Sequence, residues 1–453
     1  MTVKKNTINM TEGPIFKNII LFAFPLLISN LLQLFYNAAD IVVVSRYAGS
    51  YAMGSVGASE VVYTMLVGSV IGISVGTNVI VSRCFGAKDK EGIGRAIHTS
   101  VALAAVLGIV ILIIATLCVK PLMVLLNTPK EILDGAVLYT TILFMGIPAL
   151  FIYNFCAAIM RAMGDTRRPM YILVGSGAVN VILNLIFVIL FKMDVAGVAI
   201  ATITSQYLSA IIAFAMLVKG NNEYSIVPRK IRIHKKEVLE ILRIGVPNAV
   251  SISLAAVSNA LIVSSVNSFG ANAASGYAAA VSIEGFIYMG MNAISQATLT
   301  AVSQNFGAKN SKRLFKCMRR CIYISAGVGF ALGGIAGLFS RELLSIYITD
   351  NPEAVEFARL SLLITGVPYF VSGIMEVFSQ TVRGLGYSTT ATVNSIWTLV
   401  GTRIIWIKYI LPLRHTPETL FLCWVVSWLI AIIAHSITLA VIKKKAMRRM
   451  LQQ

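Results

Sequence analysis

Residues 96–119 read AIHTSVALAAVLGIVILIIATLCV, and this stretch decides the class of fold. It contains no Asp, Glu, Lys or Arg. A helix rises about 1.5 Å per residue, so the run exceeds the hydrocarbon thickness of a bilayer, about 30 Å. The whole chain of 453 residues has the same character, with 57% hydrophobic and 13% charged residues, against roughly 25% charged in soluble domains. The sequence therefore predicts a membrane protein and excludes a soluble globular domain.

Twelve apolar runs of this kind divide the chain. The first follows Lys4, Lys5 and Lys17, but it is too long for a signal peptide and is predicted to be a retained helix. Pro25, Pro148, Pro247 and Pro368 are expected to interrupt helices and to serve as bending points. The predicted spans are 18–46, 53–81, 96–119, 134–160, 170–191, 195–218, 240–268, 274–304, 317–339, 355–382, 389–411 and 418–442.

The basic residues predict the orientation of these spans. The net charge is +19, and 29 of the 38 Lys and Arg residues fall in, or within a few residues of, every second connection, counted together with both ends of the chain. Cytoplasmic loops of membrane proteins carry such an excess. We therefore expect a multi-pass protein of the cell membrane with both termini in the cytoplasm. The topology accounts for the net charge, so no nucleic-acid partner is predicted.

The second half of the sequence repeats the first. The tetrapeptide FGAK at 85–88 recurs at 306–309, and Pro25 and Asn37 correspond to Pro247 and Asn259, 222 residues later. Six spans per copy place both copies in the same orientation, which is typical of a parallel repeat.

The repeat predicts the organisation of the chain. We expect an all-α polytopic membrane protein with twelve transmembrane helices in two pseudo-symmetric six-helix lobes. The N-terminal lobe covers 1–218, a basic cytoplasmic linker that includes Asn221 and Asn222 covers 219–239, and the C-terminal lobe with its basic tail covers 240–453.

Three motifs carry a resemblance to a known family. They are Phe24-Pro25 followed by YNAAD at 36–40, SRCFGAK at 82–88, and RAMGDTRRP at 161–169. With two six-helix halves, they resemble the multidrug and toxic compound extrusion (MATE) family. The resemblance implies a secondary antiporter that expels organic, often cationic, compounds in exchange for Na⁺ or H⁺. The nearest alternative is a flippase for a lipid-linked oligosaccharide precursor, and a channel is a third possibility.

Polar residues inside the spans predict the functional site. Gln33, Asn37 and Asp40 follow one helical stripe, and further pairs four residues apart occur on the fifth and sixth spans. A carboxylate in lipid normally faces a cavity, a partner or an ion pathway, although Asp40 could also serve only to join helices by hydrogen bonds. The pairs are Asn180 with Asn184, and Thr202 with Gln206.

The resemblance sharpens this prediction. In one branch of the family an Asp, an Asn, a second Asp and a Thr form a cation or proton site, and they match Asp40, Asn180, Asn184 and Thr202. Asn184 departs from that pattern, because an amide stands where the branch has a carboxylate. These four residues are the predicted H⁺ or Na⁺ site, and a single carboxylate favours H⁺. The acids that another branch places on its seventh and tenth helices are absent or rebuilt here.

A substrate cavity is predicted from further polar stripes. Polar residues recur every fourth position on the eighth and tenth spans, where interhelical hydrogen bonding is the alternative explanation. The predicted cavity residues are Gln33, Tyr36, Asn37, Gln206, Glu284, Tyr288, Asn292, Glu376 and Gln380.

Other classes of function find no support in the sequence. No phosphate-binding GxxxxGK[ST] or zinc-binding HExxH motif occurs, and the one GxSxG match, GISVG at 72–76, lies inside an apolar span and not at a strand-to-helix turn as a nucleophile elbow requires. We expect no enzyme activity, no cofactor beyond the coupling ion, and no obligate protein partner. The expected partners are organic cations and membrane lipid.

Overall fold

The computed structural model describes residues 7–47, 49–220 and 225–452, and it is helical with no strand in these ranges. Lys4, Lys5, Asn221 and Asn222, which entered the topology and linker predictions, lie outside them.

Within the described ranges, seven α-helices build the first half of the chain. A π-helical turn, Ile186–Leu190, extends the sixth of them, and a short 3₁₀ turn, Pro228–Lys230, lies in the connection to the second half. The helices are α1 (Ile15–Tyr47), α2 (Gly49–Gly86), α3 (Lys90–Leu125), α4 (Lys130–Met145), α5 (Ile147–Ala162), α6 (Arg167–Leu185) and α7 (Asp194–Val218).

The second half contains nine helical pieces. They are α8 (Lys235–Asn267), α9 (Ala271–Gly307), α10 (Ser311–Leu338), α11 (Ser340–Ser345), α12 (Pro352–Ser361), α13 (Tyr369–Gly384), α14 (Ser388–Ser395), α15 (Thr402–Ile405) and α16 (Pro417–Gln452). The π-helical turns Leu362–Gly366, Ile396–Gly401 and Trp406–Ile410 extend α12, α14 and α15.

These helices form membrane-length segments. Among the described residues, nine segments are long and apolar enough to cross a bilayer, and two bent pairs raise the number to eleven. The one predicted span that this count omits, 274–304, corresponds to α9, which has 37 residues but is richer in small and polar ones. Large apolar side chains such as Leu117, Ile211 and Leu338 are exposed, as contact with lipid requires. The predicted fold class of twelve helices in two lobes is confirmed.

Two of the predicted spans are broken, at the same place in each copy. The segments Lys130–Met145 and Ile147–Ala162 meet at an angle of 44°, and Pro352–Gly366 and Tyr369–Gly384 meet at 42°. Pro148 and Pro368 lie at these breaks, as predicted. The prediction was wrong for Pro25 and Pro247, which lie inside the continuous helices α1 and α8. A helix in a membrane tolerates proline where neighbouring groups satisfy the freed carbonyl.

The repeat is also visible in the backbone. After α2 and after α9, a lysine adopts the left-handed conformation, with φ 58° at Lys88 and 56° at Lys309. In both turns this lysine donates its N–H to the phenylalanine carbonyl three residues earlier, at 3.1 Å. Gly164 and Gly386 end their helices with φ 87° and 86°. This conformation is the usual way to terminate a helix, and glycine adopts it without strain.

The chain forms two compact units. The first contains Ile28–Ala249 together with Ile8, and the second contains Asn9–Leu27 and the chain from Val250 onward. Each unit thus contains part of α1 and part of α8. The predicted lobe boundaries at 218 and 240 remain a prediction.

Candidate functional site

A cavity of about 380 Å³ lies inside the first unit. Its polar lining includes two carboxylates, four amides and three tyrosines, set among aliphatic side chains. The polar lining residues are Gln33, Asn37, Asp40, Glu60, Tyr63, Thr64, Tyr139, Tyr153, Asn154, Thr202, Gln206 and Ser209. A largely apolar concavity with a few polar groups is typical of a small-molecule site.

Asp40, the predicted coupling residue, lies at the wall of this cavity. Its carboxylate accepts a hydrogen bond from Nδ2 of Asn184. No Lys, Arg or His within the described ranges forms an ion pair with it. Asp40 is half-buried, and without a cationic partner its carboxylate has little to offset the partial loss of its hydration, so binding a proton or metal cation is favoured.

The hydrogen bond to Asp40 begins a chain that joins all four predicted coupling residues. The Asn184 amide also donates to Oδ1 of Asn180 at 3.5 Å. Asn180 in turn donates to Oγ1 of Thr202 at 3.5 Å, and that hydroxyl donates to the Val198 carbonyl at 2.9 Å. The sequence placed these residues on three different spans, and the structure brings them together.

The local fold explains why these side chains meet. Asn180 and Asn184 are one turn apart on α6, and both are buried. The π-helical turn begins two residues after Asn184. A buried apolar cluster surrounds this region and shields the amides from lipid. It comprises Val43, Val44, Ala52, Tyr139, Leu143, Val188, Val195, Val198 and Ala199.

One buried acceptor in this series of hydrogen bonds has no donor. With Nδ2 of Asn184 directed at Asp40 and Asn180, its Oδ1 has no hydrogen-bond partner among the described atoms. Buried polar atoms without a partner are uncommon and cost roughly 1–3 kcal/mol each. A proton on Asp40 with the amide turned over, or a cation beside the carboxylate, would satisfy this oxygen.

A second polar contact crosses the cavity. Gln206 on α7 donates to the hydroxyl of Tyr63 on α2. Oε1 of the same glutamine is buried without a partner in the described structure. It lies against Gly146 at the α4–α5 break, where a Cβ atom would overlap it. The absence of a side chain at Gly146 therefore leaves room for the Gln206 side chain beside the cavity.

Sequence reasoning missed part of the lining. Tyr139, Tyr153 and Asn154 line the cavity from α4 and α5, the two halves of the broken span. Asn154 is fixed by its bond to the Leu150 carbonyl at 2.9 Å. The close spacing of Leu150, Tyr153 and Asn154 along one helix face was an available signal.

Six predicted cavity residues do not line this cavity. The hydroxyl of Tyr36 donates to the Val174 carbonyl at 3.2 Å, and its ring covers Gly177, where a Cβ atom would overlap it. The other five belong to the second unit. There Glu284 accepts a hydrogen bond from Thr365, Asn292 donates to Tyr288 at 3.2 Å, and Glu376 accepts one from Ser295 at 3.5 Å. Gln380 has a buried Oε1 without a partner in the described ranges.

Among its described residues, the second unit has no equivalent of the hydrogen bonds that join Asp40, Asn184, Asn180 and Thr202. At the repeat offsets, Ile262 and Ile405 stand where the first copy has Asp40 and Asn184. A buried cation, Arg403, lies nearby in sequence and donates to Asn259 at 2.8 Å. Its guanidinium stacks on Trp424 with 3.8 Å to the ring centroid. The two copies therefore have similar backbones, but the polar residues around Asp40 are not repeated at the matching positions of the second copy.

Two repeated six-span units with a polar cavity in a membrane-spanning bundle define the class of an integral membrane transporter. The MatE family profile matches the chain twice, over residues 25–186 and again over 247–407. The chain therefore belongs to the MATE family, and the predicted resemblance is confirmed. Proteins of this family are transporters, and ion-coupled antiport is typical of them.

Individual relatives agree with this assignment. The chain is 26% identical to a probable multidrug resistance protein, YoeA, of Bacillus subtilis, over 87% of this chain and 86% of that one. It is 27% identical to the probable multidrug resistance protein NorM of Thermotoga maritima, with 89% of each covered.

The fold is also that of solved transporters. An outward-facing multidrug resistance MATE family transporter of the MOP superfamily superposes with a TM-score of 0.88, at 22% identity, over 98% of this chain and 100% of the other.

Proposed function

We propose that this protein exports organic cations by alternating access, in exchange for a cation that binds at Asp40, and that this cation is H⁺ rather than Na⁺. The observation that carries the proposal is the Asp40 carboxylate, which lines the 380 Å³ cavity and is held by Asn184 with no cationic side chain paired to it. The protein acts in the cell membrane, with the basic loops and both termini in the cytoplasm.

The cavity suits an organic cation. Glu60 lines the same space as Asp40, so the lining carries two acids and no Lys, Arg or His. The rings of Tyr63, Tyr139 and Tyr153 offer π-faces that attract cations. We assign substrate binding to Glu60 and this aromatic wall, and ion coupling to Asp40.

The Asp40 chain favours a proton. One carboxylate can carry one proton, whereas a bare Na⁺ ion needs several oxygen ligands to replace its water. Of the oxygens beside Asp40, that of Asn180 already accepts a hydrogen bond from Asn184, and Thr202 accepts one from Asn180. Of these neutral oxygens beside Asp40, that of Asn184 is the one without a hydrogen-bond partner in the described structure. Protonation needs no rearrangement beyond a turn of the Asn184 amide.

Coupling follows from competition for negative charge. With Asp40 ionised, the cavity attracts a cationic substrate. When a proton binds, the charge is removed and the substrate is released to the side that supplies the proton. The difference in substrate affinity between the ionised and the protonated state of Asp40 couples export of the substrate to entry of the proton.

Transport in proteoliposomes tests the proposal directly. The Na⁺ gradient and the pH gradient are imposed separately, each with the membrane potential clamped, and accumulation of a fluorescent organic cation is followed. We expect accumulation with the pH gradient alone. Robust accumulation with Na⁺ alone, after collapse of the pH gradient, would refute the preference for H⁺.

A further inference from the structure

A second cavity, of about 880 Å³, lies in the second unit and is strongly basic. It is bounded by Thr11 and residues 13–16, just before and at the start of α1, and by the first turns of α10. Five of its lining residues are cationic, and none is acidic. The cations are Lys312, Lys316, Arg313, Arg319 and Arg320.

Four of these cations are free to bind a ligand. Arg313 is not, because it donates to the carbonyls of Met10, Glu12 and Gly13 at 2.9, 2.6 and 2.8 Å and so joins the two walls. The other four are exposed and form no ion pair in the described structure. No Asp or Glu occurs between Glu284 and Glu342.

The first copy of the repeat provides an internal comparison. At the offset of 221, Glu91 stands where the second copy has Lys312, and Arg95 stands at the place of Lys316. Arg95 pairs with Glu237 at 3.0 Å and with Glu91 at 3.7 Å.

In the first copy, the linker covers the face of α3 that corresponds to the basic face of α10. His98 and Thr99, the counterparts of Arg319 and Arg320, are bonded to it, to Val227 at 3.1 Å and to His234 at 2.9 Å. The same face of α10 is open and carries only positive charge.

The basic face continues into an apolar groove. The residues that follow on the same side of α10 are Tyr323, Gly327, Phe330 and Gly334, at helical spacing. Both aromatic side chains are exposed, at 66% and 64%, and a Cβ atom at either glycine would meet nothing within 4 Å. Because α10 is long and apolar enough to span the membrane, this groove runs from its basic end toward the hydrocarbon region.

We propose that this cavity binds an anionic phospholipid, with the phosphate on Lys316, Arg319 and Arg320 and one acyl chain along the groove between Tyr323 and Phe330. Basic pockets at the ends of membrane helices bind anionic headgroups, because the attraction adds to chain burial. The exposed cations attract the headgroup, and the groove beside Gly327 and Gly334 buries part of the acyl chain. The site is separate from the Asp40 cavity.

Native mass spectrometry of the full chain in detergent tests the headgroup assignment. The protein is titrated with dioleoyl phosphatidylglycerol, with the matching phosphatidylcholine and with inorganic phosphate. We expect saturable binding of phosphatidylglycerol only. Removing charge costs about fivefold in affinity per residue, so Lys316→Gln/Arg319→Gln/Arg320→Gln should weaken binding on the order of 100-fold. Arg229→Gln/Lys230→Gln/Arg232→Gln removes the same charge from the exposed linker and should leave binding unchanged.

The acyl chain has its own variant. Gly327→Trp fills the groove without meeting protein atoms. It should weaken the binding of dioleoyl phosphatidylglycerol roughly tenfold, which corresponds to the loss of about two buried methylene groups. It should not affect a dibutyryl analogue that carries the same headgroup. All variants should melt at the wild-type temperature in a zwitterionic detergent, since the altered residues are exposed. Equal binding of phosphatidylcholine, binding of free phosphate as tight as that of the lipid, or undiminished binding by the triple variant would overturn the proposal.

Discussion

Replacing Asn184 by Asp tests the assignment of the coupling site most sharply. The Asn184 amide donates to Asp40, so Asn184→Asp would place two carboxylates in hydrogen-bond contact. Two unit charges about 4 Å apart repel by about 4 kcal/mol at an effective dielectric constant of 20. That repulsion disfavours the doubly ionised site by about 10³. A cation between the carboxylates removes it, and the oxygens of Asn180 and Thr202, which belong to the same series of hydrogen bonds, would offer further ligands to Na⁺.

We therefore expect Asn184→Asp to gain Na⁺-driven export. In proteoliposomes with no pH gradient, a tenfold opposing Na⁺ gradient exchanged one for one limits substrate accumulation to about tenfold, because each tenfold ratio is worth about 1.4 kcal/mol. The variant should approach this limit, whereas the wild type should show little accumulation. The assay follows a fluorescent cation under a clamped membrane potential.

The matched control is Asn154→Asp. It makes the same change at a buried asparagine of the same cavity, where the amide is bonded to the Leu150 carbonyl and not to Asp40. This control should remain independent of Na⁺. If Asn184→Asp folds, inserts and still ignores Na⁺, or if Asn154→Asp gains the same Na⁺ response, the reasoning about the Asp40 chain is wrong.

The remaining predictions address other contacts. Asp40→Asn should abolish accumulation driven by a pH gradient of two units, which reaches about 100-fold for one proton per cation, while vesicles contain normal amounts of protein. Glu60→Gln should raise the KM for cationic substrates and leave that for neutral ones unchanged in the same flux assay. Gly177→Ala should lower the melting temperature by displacing an aromatic ring, at about 1–3 kcal/mol, whereas Gly175→Ala, which faces open space, should not. Arg403→Lys should also lower the melting temperature, because lysine cannot both stack on Trp424 and donate to Ser258 and Asn259 of α8, and the dependence of transport on pH should be unchanged.

The grouping of the four proposed coupling residues could be predicted from the sequence because polar side chains are rare inside membrane spans. Asp40 has few candidate partners at its depth, and the spacing of Asn180 and Asn184 already placed both amides on one face of α6. The family resemblance added Thr202 to this set. The structure then supplied the order of the hydrogen bonds, which spacing along single helices does not contain.

The rest of the cavity depends on helix geometry that the sequence only suggests. Tyr139 and Tyr153 reach the same space because α4 and α5 meet at a 44° bend, whereas straight helices would direct the two rings differently. Proline marked this bend but also occurs inside the continuous helix α1, so proline alone does not distinguish a break from an unbroken helix. Tyr36 lies on the polar stripe of α1, but its ring packs over Gly177, where the absence of a side chain leaves room for it, and it does not line the cavity.

The unequal charge of the two copies has a consequence for how the protein tolerates sequence change. Positions that shape the shared backbone, such as the left-handed Lys88 and Lys309, face the same constraint in both copies. Positions in the charged interiors do not, because Asp40 in one copy corresponds to a fully buried Ile262 in the other. Profiles of mutational sensitivity for residues 25–186 and 247–407 would coincide at the turns and diverge in the interior. After duplication, therefore, a change that is harmless in one copy can be lethal at the matching position of the other.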